Sequence, residues 1–129
     1  MIQAAQPHLA KTHGACVIVV PAEALGPTAG DRATSPSLAS CVHIARIFAQ
    51  ELGGDGIRSN VLAAGRVDEA GGPDHAVPLG RRPSVEQVGE AAYFLLSPNS
   101  SYISGTTITV DGGLIDGLRG IAIDAGKGA

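Results

Sequence analysis

The sequence predicts an α/β fold, a small parallel sheet of about three strands joined by crossover helices. Two observations carry this. Three short segments that read as strands, Cys16–Val20, Ile57–Ala63 and Thr106–Val110, alternate with stretches whose apolar residues recur at helical spacing. Each run ends at a loop marked by proline or glycine: Pro21, Gly65 and Gly112–Gly113. Strands separated by helical crossovers pair in parallel, with right-handed connections. A length of 129 residues makes one compact domain the default.

The elements follow in order. Ile2 to Lys11 reads as the tail of an amphipathic helix interrupted by Pro7. Gly14 opens Cys16–Val20, whose continuous apolar character predicts a strand buried on both faces. Residues 21 to 34, with Pro21, Gly26, Pro27 and Gly30, read as a loop. Ser35–Pro36 is a helix start, Ser as the cap and Pro at the first helical position. Leu38, Cys41, Val42, Ala45, Ala49 and Leu52 then form one stripe. Ile44, Ile47 and Phe48 form a second apolar set, so one face can cover a sheet while another meets a partner. Gly53–Gly54 ends this helix.

After the second strand, residues 64 to 83 form a long loop rich in Gly and Pro; a loop of that length is functional or mobile as a rule. Ser84 and Gln87 have the spacing of a capping box. They open a helix with Val88, Ala91, Ala92, Leu95 and Leu96 on its stripe, stopped by Ser97–Pro98. The third strand leads into Asp111–Gly112–Gly113. Residues 1–113 form the domain and 114–129 a tail, in which 120–124 reads as a short strand or coil.

Composition narrows the function classes. Hydrophobic residues make up 44% and charged residues 16%, which excludes a disordered chain. Aromatics are 3% and Trp is absent, so Ala, Val, Ile and Leu must build the core. The net charge is −3 and no basic run exceeds Arg81–Arg82, which argues against a nucleic-acid surface. The longest apolar run, Ala15–Ala22, is too short for a membrane span. The opening residues lack a basic segment followed by an apolar one, so no signal peptide is expected. Cys16 and Cys41 read as small core residues of a reducing, cytoplasmic compartment rather than a disulfide or metal pair.

A set of short motifs points further. These are Pro7-His8-Leu9, Ala49-Gln50-Glu51-Leu52, Gly56-Ile57-Arg58-Ser59-Asn60, Ala64-Gly65-Arg66-Val67, Leu79-Gly80-Arg81, Phe94-Leu95-Leu96-Ser97, Ile103-Ser104-Gly105-Thr106 and Val110-Asp111-Gly112-Gly113. Each is weak alone, but in this order and spacing they resemble the carboxyl-terminal half of a short-chain dehydrogenase/reductase. The similarity is greatest to the branch of 3-oxoacyl-[acyl-carrier-protein] reductases. The resemblance implies a partial Rossmann-like, doubly wound sheet. It also implies NAD(P)-dependent oxidoreductase ancestry, with hydride moved between a nicotinamide and a carbonyl or alcohol.

In that family a Ser positions the carbonyl oxygen, and a Tyr, its pKa lowered by a Lys four residues on, transfers the proton. Carried over, the Tyr position falls on Thr34, the Lys position on Leu38 and the Ser position on Pro21. None can do the work: an aliphatic hydroxyl is too weak an acid, Leu carries no charge, and Pro has no side-chain donor. No residue is therefore assigned a catalytic role. Gly65 and the aliphatic Val67 match the loop that approaches the nicotinamide. Glu69 stands where a Thr contacts the cofactor phosphate, and its carboxylate would repel one.

The family's amino-terminal, dinucleotide-binding half has no counterpart in these motifs. Gly113, Gly117 and Gly120 follow a strand but have the wrong spacing for a phosphate loop. NAD or NADP is thus implied by resemblance alone, and no cofactor is read from the residues. The expected role is a catalytically inactive, truncated family member that associates with itself or with a fuller relative, the helix from Pro36 to Leu52 matching the family's main oligomer-forming helix. The alternatives are a carbonyl reductase completed by another chain and a truncated reading frame without function.

Other reactive residues have plainer readings. His8, His13, His43 and His75 lack metal-ligand spacing. Asp74–His75 has no nucleophile beside it. Arg58, Asn60 and Asp111 are expected to fix loops through backbone hydrogen bonds, and Asp68–Glu69 to be a solvated charge pair.

Overall fold

The computed structural model describes residues 2–26 and 32–115. Helix α1 (Ile2–Ala10) leads into strand β1 (Ala15–Pro21), then a 3₁₀ turn (Ala22–Leu25) and helix α2 (Thr34–Leu52). Strand β2 (Arg58–Ala64), helix α3 (Val85–Leu96) and strand β3 (Thr107–Val110) complete the order. The sheet is parallel throughout, in the order β1-β2-β3. Ala15 pairs with Arg58, and Val61 pairs with Thr107. Among the described residues no helix is long and apolar enough to cross a membrane.

The core is made of small aliphatic side chains, as the scarcity of aromatics requires. Val42 and Ala45 of α2 bury against Val20, Val61 and Ala63, with Ile18, Leu38 and Cys41 packed beside them. Helix α3 contacts all three strands. Leu62, alternating with Val61 and Ala63, and Leu95 of α3 are fully buried. β2 is the central strand, and six of its seven residues are buried.

Several elements differ from expectation. β1 is not buried on both faces: it is a sheet edge, only Val20 is buried and Val19 is 59% exposed. Ser35 does not cap α2. The helix begins one residue earlier, at Thr34, and the buried Ser35 hydroxyl instead donates to the carbonyls of Glu23 and Gly26. This bond ties the first turn of α2 to the 3₁₀ turn after β1. Gly53–Gly54 does end the α-helix, which stops at Leu52 as expected; the chain then tightens into a 3₁₀ turn (Gly53–Asp55), and the left-handed residue that reverses it is Gly56, with φ 75°. Leu96 lies off the buried stripe of α3 and is 50% exposed. Both halves of the Ser84–Gln87 capping box are present. Gly117, Gly120, the 120–124 segment and the tail beyond Ile115 lie outside the described residues.

The 64–83 loop is not a free excursion. It is stapled by bridges between Asp68 and Ser84 and between Pro73 and Arg81. Val77 is buried, and the Leu79 N–H donates to the Gly112 carbonyl. Gly112 has φ 63°, and a side chain there would overlap Val77, so glycine lets the loop close over the end of β3.

Candidate functional site

In an open α/β sheet, ligands bind beyond the carboxyl ends of the strands. Here those ends are Pro21, Ala64–Gly65 and Val110–Asp111. Pro21 and Ala64 are partners in the β1–β2 register, and Ala64 and Val110 in the β2–β3 register, so the three ends are level.

Gly65 follows β2 directly, and its N–H donates to the Val110 carbonyl at 2.9 Å. A Cβ at this position would lie 3.0 Å from Asp111 Cα. Glycine is needed here because the end of β3 comes so close. Val67, two residues on, is 44% exposed at the start of the loop. Glu69 is also exposed.

The positions matched to Ser, Tyr and Lys gather at the same end of the sheet. Pro21 closes β1. Thr34 opens α2, held near the 3₁₀ turn by Ser35, and Leu38 follows one helical turn later, half-buried against the core cluster. The corner therefore holds a pyrrolidine ring, a secondary hydroxyl and an aliphatic side chain.

After β3, Asp111 is buried. Its Oδ1 accepts from the Gly113 N–H at 2.9 Å and its Oδ2 from the Ile115 N–H at 3.0 Å. A phosphate would need free amides of this kind, yet these already face a carboxylate. The described part of this glycine turn therefore does not fit a pyrophosphate. Among the described residues the glycine turn after β3 offers no phosphate cradle, while the Gly65 N–H is already bonded to the Val110 carbonyl and the Val67 side chain stands exposed beside it.

Arg58 and Asn60 do fix loops, to an extent the sequence did not convey. The Arg58 guanidinium is part-buried and donates to the carbonyls of Leu95 (2.8 Å), Ser97 (3.1 Å) and Ile103 (3.4 Å) and to the Ser100 hydroxyl (2.9 Å). It thus caps the carboxyl end of α3, where the helix leaves carbonyls unpaired and partial negative charge accumulates. Asn60 is fully buried. Its Nδ2 donates to the Ile103 carbonyl and its Oδ1 accepts from the Thr106 N–H.

Asp68 is not merely a solvated charge: its Oδ1 accepts from the N–H groups of Ala70 and Gly72 and shapes the loop entrance. Asp74 does not pair with His75. It accepts from the Ala76 N–H and forms a 3.0 Å ion pair with Arg82 Nε. The Ala76 N–H, the Arg82 guanidinium and the more distant Arg66 together hold the Asp74 carboxyl below its ordinary value, against a smaller opposing effect of burial. His8, His43 and His75 are exposed, and His13 Nδ1 lies 3.3 Å from the Asp55 carbonyl oxygen. Among the described residues no cluster of three His, Cys, Asp or Glu side chains could hold a metal ion.

The sign of the Asp74 effect gives a testable outcome. A carboxyl depressed in the folded state stabilises the protein above its unfolded pKa, near 3.8, and the contribution vanishes as pH falls through the folded value. The stapled loop should therefore loosen below about pH 4. Asp74→Asn should lower the urea midpoint at neutral pH and flatten its fall on acidification. An unchanged acid limb in the variant would show that other carboxylates control it.

Comparison with known proteins agrees with this architecture. The family model described as "Enoyl-(Acyl carrier protein) reductase" matches residues 1–115. A short-chain type dehydrogenase/reductase of Sinorhizobium fredii is 40% identical over 104 residues, covering 70% of this chain and 19% of the relative. A 3-oxoacyl-[acyl-carrier-protein] reductase of Chlamydia muridarum is 31% identical over 119 residues, covering 84% of this chain and 48% of the relative. The crystal structure of an oxidoreductase of the short-chain dehydrogenase/reductase family from Burkholderia thailandensis superposes with a TM-score of 0.81 at 27% identity, covering 99% of this chain and 56% of that one. The chain spans from about a fifth to about half of the length of these relatives. With three parallel strands, their crossover helices and a family model matched along most of its length, the chain belongs to the short-chain dehydrogenase/reductase family.

Proposed function

We propose that this chain is an oxidoreductase-family subunit that does not itself transfer the proton of a carbonyl reduction and acts by associating with a copy of itself or a fuller relative. The observation that supports the first half is the corner formed by Pro21, Thr34 and Leu38. General acid catalysis needs a group whose pKa can be brought near the working pH. A threonine hydroxyl is too weak an acid for that, and Leu38 brings no positive charge to lower any neighbouring pKa. Gly65 and Val67 are the residues retained for contact with a nicotinamide ring, while Glu69 opposes a phosphate beside them.

The second half is supported by the outer face of α2. Ile44 and Ile47 are 42% and 50% exposed, and Phe48 is half-buried beside them. Such a patch on a helix that already covers a sheet suits a second helix.

Two measurements test the reading. The purified chain, given NADH or NADPH and a 3-oxoacyl thioester, should show no consumption of reduced cofactor above a no-protein control. Stoichiometric oxidation of cofactor with formation of the hydroxyacyl product would overturn the catalytic half. Sedimentation analysis should show reversible association that Ile47→Glu weakens. A monomer at all concentrations, alone and with a full-length relative, would overturn the associative half.

A further inference from the structure

Two hydroxyl groups lie buried under the α2 face of the sheet. Ser59 of β2 has no exposure, and among the described residues neither its Oγ nor Thr107 Oγ1 of β3 has a hydrogen-bond partner. The two share a face. Val61 packs in the core cluster with Val42 and Ala45 of α2, Ser59 lies two residues before it on the same strand, and Thr107 is its partner in the β2–β3 register. A hydroxyl loses its hydration on entering a core, and leaving it unpaired there is destabilising. Native interiors seldom contain such groups without a partner. Cys16, the register partner of Ser59, does not supply one: its thiol donates to the Arg58 carbonyl at 3.5 Å.

The register explains why the two oxygens do not meet. The Gly105 N–H donates to the Ser59 carbonyl at 2.7 Å, so Gly105 stands beside Ser59 and Thr107 lies diagonally, two residues on. Diagonal neighbours on adjacent strands are about 7–8 Å apart between α-carbons. Hydroxyls leaning toward each other from there are separated by about 5–6 Å, the span of one water bonded to both. The space between them is bordered by small residues. Gly105 has no side chain, and a Cβ placed on it would have only the Ala49 Cβ of α2, at 3.5 Å, within 4 Å. Ala45, one turn before Ala49, also presents only a methyl group to the sheet. A buried water needs room and at least two polar partners. An apolar guest would leave both hydroxyls unpaired, and none of these bordering residues carries a charge to hold an ion.

We propose that Ser59 and Thr107 form a binding site for a single ordered water, which bridges β2 and β3 beneath Ala49. Each hydroxyl can donate one hydrogen bond or accept one, so the water is held whichever way it turns. It acts as a structural ligand. Asn60 ties the approach to β3 on one side of the sheet, and the water ties β3 to β2 on the other, under α2.

A high-resolution crystal structure of the full chain should show one water within hydrogen-bond distance of both Ser59 Oγ and Thr107 Oγ1. In solution, water-oxygen relaxation dispersion should count one long-lived water fewer in the Ser59→Ala/Thr107→Val double variant than in the parent chain. Thr107→Val keeps the shape of the side chain and exchanges only the hydroxyl for a methyl group. With water pairing that hydroxyl, the urea midpoint of the variant should fall. The double variant should fall by less than the sum of the two single changes, because both lose the same water. A raised or unchanged midpoint in Thr107→Val would overturn the proposal, since the hydroxyl would then be dry and unpaired in the native state. An unchanged count of long-lived waters would overturn it too, as would density that places either hydroxyl directly on a backbone carbonyl. The crystallographic result needs no variant, so it decides the matter even where a variant fails to fold.

Discussion

Replacing Arg58 with Met should destabilise the protein by about 2–4 kcal/mol, because the charge-assisted hydrogen bonds that tie the end of α3 to the approach to β3 would be lost together. Methionine keeps much of the apolar stem, so the loss reports the guanidinium rather than the packing. Leu95 and Ser97, at the end of α3, and Ile103, before β3, all accept from this one group, alongside donors from Ser100 and Asn60. Arg58→Lys should recover only part of the loss, since an ammonium cannot span acceptors arranged around a planar fork. Urea denaturation followed by circular dichroism reads the effect. A midpoint unchanged in Arg58→Met would show that water replaces the guanidinium at no cost.

Asn60→Leu should cost about 2–4 kcal/mol, although the replacement is apolar and similar in size. Asn60 lies within the central strand with no exposure, between Ser59 and Val61, which are also fully buried. Its amide serves two backbone groups on the approach to β3, the Ile103 carbonyl and the Thr106 N–H. The variant should leave the Thr106 N–H without its acceptor and the Ile103 carbonyl with only the longer bond from Arg58, and β3 should fray first. Hydrogen exchange at Ile108 and Val61 tests this: protection lost there while Leu62, which faces β1, remains protected is the expected pattern. Uniform loss across the sheet would mean that Asn60 supports the whole core instead.

Much of this was legible in the residues. Period-3.6 stripes gave α2 and α3, and the three short strand segments separated by helical crossovers gave a parallel sheet. The Ser84–Gln87 spacing gave a capping box that the structure contains in both halves. The departures have physical causes. An apolar run such as Cys16–Val20 shows that a strand belongs in a sheet, but not whether a neighbour lies on each side, so its edge position was hidden. Ser35–Pro36 has the chemistry of a cap, yet Ser35 found better acceptors in the turn after β1. The 64–83 loop looked free because its staples, Asp74 with Arg82 and Arg81 with Gln87, obey no local periodicity. At the strand ends, Gly65 stood out in the sequence, while the reason for it, the approach of Asp111 Cα, is a long-range contact no window reveals. Asp111 was expected to fix a loop and does so, but that its carboxylate would occupy the amides of the following glycine turn required the fold.

The parallel sheet also sets the tempo of folding. Its ladders join Ala15 with Arg58 and Val61 with Thr107, partners more than forty residues apart. Such high contact order makes the search slow, because a long loop must close before any strand pair repays it. During synthesis the β1–β2 ladder can close only after β2 has cleared the ribosome. For this chain, expression at lowered temperature or with a holdase chaperone should raise the soluble yield more than any gain in native stability would.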